Sequence, residues 1–228
     1  MRTPVSRTPV SRPPQSCTPD FRTVVLGAGV SRAVLAGALV FTALSGCVQP
    51  LAAPKTCATS GIERVGGPIS LVDSSGAPVT QATFADKPTL LYFGFANCPD
   101  VCPTSLQAAR TALDARKPGA AALNIALVTV DPERDTPEIL ARYVANDAFP
   151  AGLRGLTGTL EQTRAATDAF KVYAQRREDP GSAAGYVVDH TSMFYLMDRA
   201  WRPVAIFPSE MVPADMAACI DYALAKTH

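Results

Sequence analysis

The chain has 228 residues, a formal net charge of +1 and 47% hydrophobic residues. This length is sufficient for one well-packed domain with additional segments, and the near-zero charge gives no electrostatic reason to expect a nucleic-acid partner. Six irregularly spaced cysteines do not indicate a disulfide scaffold, and the sequence contains two histidines, His190 and His228. A metal site that includes an imidazole must therefore use one of these two residues.

Residues 1–47 are predicted to be a disordered start followed by an export signal. Residues 1–23 are rich in Pro and Arg and have no apolar period, so we expect disorder there. Residues 33–44 form a continuous run of apolar, small and hydroxyl residues that basic residues precede, which is typical of a secretory signal. The run ends in Leu44-Ser45-Gly46-Cys47, which resembles the lipobox of bacterial lipoproteins, and we expect Cys47 to be the lipidated residue.

A transmembrane anchor is the alternative for this segment. The apolar run is shorter than the roughly 20 residues that usually span a bilayer, which favours the lipoprotein. A multiply acylated cysteine would hold firmly, whereas a single lipid chain holds weakly. Both interpretations place the following domain on the periplasmic side of the membrane, in an oxidising space.

Residues 48–64 are small and polar, and they are predicted to be a flexible tether. Cys57 lies in this range and is expected to be a spare thiol without a role. The folded domain is expected over residues 65–228. It begins with a hairpin, because two short extended segments flank Ser74-Ser75-Gly76.

The next segments alternate between strands and helices. Residues 87–95 and 122–130 are nearly continuous apolar runs, as expected for strands buried on both faces, and residues 103–116 between them have a helical apolar period. Thr136 and Pro137 open a helix that is expected to end near residue 146.

The rest of the chain continues this alternation and then changes. A short strand is predicted at 153–156, and Thr159 to Gln162 form a capping box that opens a helix to about residue 170. We expect an extended segment at 171–175 and a polar loop at 176–185. Two strands, 192–197 and 203–207, then pair across a turn. A closing helix at 213–225 includes Cys219, which most simply packs as a small hydrophobic residue.

This order predicts an α/β protein with a thioredoxin-like fold, in which helices flank a central mixed sheet and an N-terminal hairpin extends it. In that architecture the loop after the first central strand carries the active cysteines, which here are Cys98 and Cys102. Side chains four residues apart on a helix lie about 5–6 Å apart at Cβ, so the two sulfurs could bind one metal ion or form a disulfide. Their three-residue spacer differs from the two-residue spacer of thioredoxins.

His190 is the third candidate ligand. Soft thiolates select Cu(I), and two sulfurs with one imidazole make a three-coordinate copper site. Zinc fits less well, because a structural zinc normally takes four protein ligands and no fourth Cys or His is evident nearby. The alternative for His190 is a loop histidine with a structural hydrogen bond. Asp189 beside it could tune the imidazole.

These residues resemble the Sco/SenC proteins, a family of thioredoxin-fold, membrane-tethered copper chaperones for cytochrome c oxidase assembly. The resemblance covers residues 65–225 and departs from the family pattern at Ala96-Asn97 and Asp198-Arg199. It rests on four motifs in the same order: Gly66-Gly67-Pro68; Tyr92-Phe93-Gly94-Phe95 followed by Cys98-Pro99-Asp100-Val101-Cys102-Pro103-Thr104; Val130-Asp131-Pro132-Glu133-Arg134-Asp135-Thr136-Pro137; and Asp189-His190-Thr191 before Phe194-Tyr195-Leu196.

The resemblance implies that Cys98, Cys102 and His190 bind copper. It also implies that the apo copper site of cytochrome c oxidase subunit two receives the ion, with another periplasmic copper donor or a thiol reductant as a further partner. The charged loop 131–135 is expected near the site, either as a contact for a partner or as a solvated turn.

Two functions therefore remain open, a copper metallochaperone and a thiol-disulfide reductase that keeps the cysteines of the target reduced. A reductase would need both cysteines but not His190, and oxidation of the pair to a Cys98–Cys102 disulfide would block copper binding. Whether the protein is an enzyme is left open. A peroxidase is less favoured, because no Lys or Arg lies within residues 95–104.

Overall fold

A computed structural model describes residues 54–182 and 185–227 of the chain. The predictions of a disordered start, a signal segment and a lipidated Cys47 lie outside these residues. In the part of the chain that is described, no helix combines the length and the apolar character needed to cross a bilayer.

The elements follow the predicted order, with one additional hairpin before the last strands. In chain order they are β1 (Ser70–Asp73), β2 (Pro78–Thr80), a 3-10 turn (Gln81–Phe84), β3 (Thr89–Gly94), α1 (Val101–Asp114), β4 (Asn124–Thr129), α2 (Pro137–Val144), β5 (Leu153–Thr157), α3 (Leu160–Phe170), β6 (Ala174–Glu178), β7 (Tyr186–His190), β8 (Met193–Met197), β9 (Pro203–Pro208) and α4 (Pro213–Ala225).

Seven strands form the central sheet, in the order β2-β1-β5-β4-β3-β8-β9. β3, β4 and β5 are parallel, whereas β8 and β9 add to β3 as an antiparallel pair and β1 adds antiparallel to β5. The prediction of a mixed sheet with an N-terminal hairpin extension is confirmed.

The apolar run of β3 explains its central position. All six residues of β3 are buried, and successive side chains of a strand point to opposite faces. Leu90 and Tyr92 belong to the hydrophobic cluster that includes residues of α1 and α4, while Leu91 and Phe93 belong to the cluster that includes residues of α3. The strand is therefore covered on both faces of the sheet, and the cysteine loop follows directly at its carboxyl end.

The predicted flexible tether is wrong for its described part, because Cys57, Ala58 and Ile62 attach this segment to the domain. Cys57 forms a disulfide with Cys219 of α4, across 162 positions of sequence. The next residue, Ala58, exchanges two backbone hydrogen bonds with Ile206 of β9, at 3.0 and 2.9 Å, and Ile62 is buried. The predictions of a spare thiol at Cys57 and of simple packing for Cys219 are therefore wrong, because both residues belong to a structural disulfide. Local pattern could not reveal this pair, because tertiary structure alone brings its members together.

The predicted loop at 176–185 is wrong in its first part. β6 and β7 form a separate antiparallel two-stranded sheet, in which Arg176 pairs with Val188. All five residues of β6 are exposed, so the strand has no apolar alternation that sequence inspection could detect. This hairpin matters for function because His190 is the last residue of β7.

Candidate metal centre

The two cysteines lie at the junction between β3 and α1. Cys98 is in the loop after β3, and Cys102 is the second residue of α1, which begins two residues earlier than the predicted helix. The backbone N–H of Cys102 donates a hydrogen bond to Sγ of Cys98 at 3.3 Å. The Cys98 sulfur is therefore stabilised by a donor from the first turn of the helix, where negative charge is favoured.

The last residue of β3 makes room for the Cys102 sulfur. A Cβ atom added to Gly94 would lie 2.9 Å from Sγ of Cys102 and 2.9 Å from the ring of Tyr92. Both contacts are shorter than atoms of this size tolerate. A glycine is therefore required here because the sulfur and the strand backbone approach so closely.

His190 reaches the cysteines from the separate hairpin. Its Nε2 lies 3.5 Å from Sγ of Cys102, and its Nδ1 lies 3.0 Å from the carbonyl oxygen of Thr191. A proton on Nδ1 would be donated to this carbonyl, and the lone pair of Nε2 would then face the sulfur. Phe95 and Tyr92 contact the imidazole edge to face, with centroid distances of 5.7 and 6.4 Å.

The expected role of Asp189 is wrong. Its carboxylate is exposed and accepts a hydrogen bond from Arg177 at 3.2 Å. Neighbouring residues of a strand point to opposite faces, so Asp189 points away while His190 points towards the cysteines. The group that orients the imidazole is the backbone carbonyl of Thr191 instead.

The structure brings Cys98, Cys102 and His190 together, with their ligand atoms all within 4.8 Å of one another. Atoms this close can bind one ion directly. Two sulfurs and one imidazole nitrogen are the donor set that suits a soft monovalent copper ion. Cys102 is fully buried, whereas Cys98 and His190 are partly exposed, so solvent or another protein reaches the site on the side of these two residues.

The two thiols share one proton. The Cys102 thiol stabilises the Cys98 thiolate and His190 adds to this effect, so the pKa of Cys98 falls to about 4. The pKa of Cys102 is raised, first by the neighbouring Cys98 thiolate and then by burial. Both shifts favour a thiolate on Cys98, the more accessible sulfur, over one on Cys102. Both cysteines are free thiols in this structure, and the Cys98–Cys102 disulfide stays a prediction for the oxidised protein.

The loop between β4 and α2 forms a hydrogen bond with the start of the cysteine loop. The sequence did not predict this role. Asp131 and Asp135 are buried, so a fully solvated turn is wrong for this segment. The carboxylate of Asp135 accepts hydrogen bonds from the backbone N–H of Ala96 at 3.0 Å and from the Thr129 hydroxyl at 2.7 Å. Burial raises the pKa of Asp135. Sequence inspection had no local signal for this burial, because the segment is strongly polar.

The fold and the site together define a thioredoxin-like protein with a candidate metal centre of two cysteines and one histidine. Comparison with known proteins identifies its family. The sequence profile described as SCO1/SenC matches residues 58–225. The protein SenC of Rhodobacter capsulatus is 33% identical over 199 residues, which cover 86% of this chain and 85% of that protein. The SCO2-like protein RP587 of Rickettsia prowazekii is 36% identical over 139 residues, with coverage of 61% and 67%.

Solved structures agree with these matches. Arabidopsis thaliana ScoI with copper bound has a TM-score of 0.65 and 32% identity, and the match covers 71% of this chain and 99% of that one. Bradyrhizobium japonicum ScoI with copper bound has a TM-score of 0.60 and 38% identity, with coverage of 68% and 97%. Some relatives are longer, and the chain covers 46% of the mitochondrial SCO2 of Saccharomyces cerevisiae. The chain belongs to the SCO1/SenC family.

Proposed function

We propose that this protein is a copper metallochaperone that holds one copper ion through Cys98, Cys102 and His190. The observation that carries the proposal is the position of three soft or borderline ligand atoms within 4.8 Å of one another. The copper-bound structures of two similar proteins support copper as the ion. The recipient in this proposal is the apo copper site of cytochrome c oxidase subunit two, with a periplasmic copper donor or a thiol reductant acting before it.

The chemistry of the three side chains suits loading and release by ligand exchange. The lowered pKa of Cys98 favours its thiolate form, and Cys98 is the more accessible sulfur, so in this proposal it is the first sulfur to meet an incoming ion or an acceptor thiolate. Cys102 must lose its proton when copper binds, because a thiolate is the ligand form, so loading releases protons and weakens in acid. His190 completes the set as a neutral imidazole.

The proposed location is the outer, periplasmic side of the membrane, where a lipidated Cys47 or a transmembrane helix anchors the chain. The disulfide between Cys57 and Cys219 supports this location, because such bonds form and persist in oxidising compartments. In the same compartment the Cys98 and Cys102 pair must be kept reduced to accept copper.

A copper titration of the reduced protein tests the proposal. We expect one Cu(I) per wild-type chain and greatly weakened binding in Cys98→Ser and Cys102→Ser. His190→Ala should retain the two sulfurs and lose affinity more moderately. The double variant Cys57→Ala/Cys219→Ala is the control, because it removes two cysteines and should leave the stoichiometry unchanged. If His190→Ala matches the wild type in stoichiometry and affinity, the three-ligand site is wrong.

A thiol-disulfide reductase is the second candidate function, and one observation favours it. An accessible Cys98 thiolate beside a buried Cys102 thiol is the arrangement of an attacking and a resolving cysteine. The His190→Ala variant separates the two functions, because a reductase needs both cysteines but not the imidazole. Full activity of this variant in oxidase assembly would favour the reductase over the chaperone.

A further inference from the structure

The three candidate ligands belong to two different sheets. Cys98 and Cys102 follow β3 of the seven-stranded sheet, whereas His190 ends β7 of the two-stranded sheet. Among the described residues, no strand of one sheet pairs with a strand of the other. Only two residues link His190 to β8, and β8 pairs with β3, so the chain itself brings the imidazole near the cysteine loop. A further contact, away from this link, is needed to fix the orientation of the hairpin and thus of the imidazole.

The loop between β4 and α2 makes that contact on the side of the hairpin. The Tyr186 hydroxyl, at the start of β7, donates a hydrogen bond to Oδ1 of Asp131 at 3.0 Å. The guanidinium of Arg134 lies 4.0 Å from the centre of the Tyr186 ring, and its Nη1 donates to the Tyr186 carbonyl oxygen at 3.4 Å. Tyr186 and His190 point to the same face of β7, since they are four positions apart in a strand.

The same loop also contacts the cysteine side. The Arg134 guanidinium lies 5.6 Å from the centre of the Phe95 ring, and that ring contacts His190 edge to face. The next residue of the loop, Asp135, accepts the backbone N–H of Ala96. Phe95 therefore contacts both the guanidinium and the imidazole, and Arg134 contacts residues on both sides of the metal centre.

Arg134 is itself held in one orientation. Its Nε donates to Oδ2 of Asp131, and the two side chains are 16% and 4% exposed. A buried, hydrogen-bonded ion pair of this kind fixes the plane of the guanidinium. Asp131 thus uses one carboxylate oxygen for Arg134 and the other for Tyr186.

We propose that Arg134, oriented by Asp131, is a positioning residue that holds His190 within bonding distance of a metal ion on the two cysteines. This inference rests on the proposed copper site, and it assigns the ligand geometry to a residue that touches no ligand atom. Removing a residue that orients a metal ligand typically lowers metal affinity about 10–100-fold.

Arg134→Met tests the proposal, because it keeps an unbranched side chain and removes the guanidinium. Arg176→Met is the matched control. Arg176 also stacks on the Tyr186 ring, at 3.7 Å, but it belongs to β6, is exposed, and pairs with Glu133. We expect Cu(I) affinity to fall about 10–100-fold in Arg134→Met and to stay at the wild-type level in Arg176→Met.

A double variant and a spectrum show whether the loss acts through His190. Adding His190→Ala to Arg134→Met should cost no further affinity, although His190→Ala weakens the wild type. In Arg134→Met, X-ray absorption at the copper edge should show that both sulfur ligands are retained and that the copper–nitrogen bond is lost or longer. Wild-type affinity in Arg134→Met would overturn the proposal. So would weakened binding with an unchanged nitrogen ligand.

Measurements on the metal-free protein separate this inference from the proposed function. NMR contacts between the His190 ring and the Phe95 ring should be present in the wild type and in Arg176→Met, and absent in Arg134→Met. If the wild type binds no copper, the proposed function fails and these contacts still decide the role of Arg134. Tyr186→Phe removes a single hydroxyl and should weaken the same contacts less. If Arg134→Met does not fold, unchanged contacts in Tyr186→Phe and Asp131→Asn would overturn the proposal.

Discussion

The cysteine side and the histidine side of the metal centre are built differently. Every residue of β3 is buried, and the cysteine loop lies between that strand and a helix that packs on α4. The histidine stands on a two-stranded sheet whose outer strand, β6, is exposed at every position. A two-stranded sheet has little stability of its own in water. The difference indicates that the dithiol lies on a well-packed support, whereas the imidazole lies on a hairpin that depends on contacts with the rest of the domain.

The largest expected effect concerns the support of the cysteine side. Cys219→Ala removes the disulfide that joins α4 to Cys57, and losing such a bond typically costs about 2–5 kcal/mol. We expect the free energy of unfolding, measured in denaturant, to fall by this amount. Cys57→Ala should produce the same loss, and the double variant should add nothing to it. An additive double variant would mean that the two cysteines act separately.

A smaller effect is expected where β3 meets Cys102. Gly94→Ala places a methyl group 2.9 Å from Sγ of Cys102, and overpacking of a core typically costs about 1–3 kcal/mol. We expect this loss of unfolding free energy together with weaker copper binding, because the sulfur must move. Isothermal titration and denaturant unfolding measure the two effects.

Gly155→Ala is the matched control for that variant. A methyl group there would lie 2.9 Å from Cβ of Leu140, so the steric cost is similar. The affected contact joins β5 to α2 and does not involve a cysteine or His190. We expect a comparable loss of stability with copper affinity unchanged. If both variants lose affinity equally, the cysteine side does not depend on a local fit at Gly94.

The smallest effect is expected on the outer face of the hairpin. Asp189→Asn removes the ion pair with Arg177, whose side chains are 53% and 59% exposed, and exposed pairs contribute about 0–1 kcal/mol. We expect little change in stability or in copper affinity, measured as for Gly94→Ala. A tenfold loss of affinity would mean that this face of the hairpin also positions His190.

The regular parts of the fold were predictable because local pattern determines them. Buried strands such as β3 need continuous apolar sequence. The cap at Thr136 accepts the N–H of Ile139, and Thr159 and Gln162 form the predicted capping box. The nearness of His190 to the cysteines followed from strand order in a known architecture. These features depend on residues that are close in sequence or on a common topology.

The missed features depend on contacts that local pattern does not encode. β6 has no apolar alternation, because it gains its hydrogen bonds from β7 and buries nothing. Asp131 and Asp135 are buried although they lie in a charged loop, since each carboxylate meets hydrogen-bond donors from a distant part of the chain. The disulfide partner of Cys57 was equally invisible in a small, polar segment.

That disulfide also bears on how the protein meets a reductant. Four described cysteines share one domain, in which Cys57 and Cys219 are joined by a disulfide and Cys98 and Cys102 are free thiols. Cys219 is fully buried and Cys57 nearly so, whereas Cys98 is accessible. A protein reductant can therefore reach the Cys98 and Cys102 pair and leave the Cys57–Cys219 bond intact. Differences in steric access would thus let a reductant restore the Cys98 and Cys102 thiols while the structural cross-link stays in place.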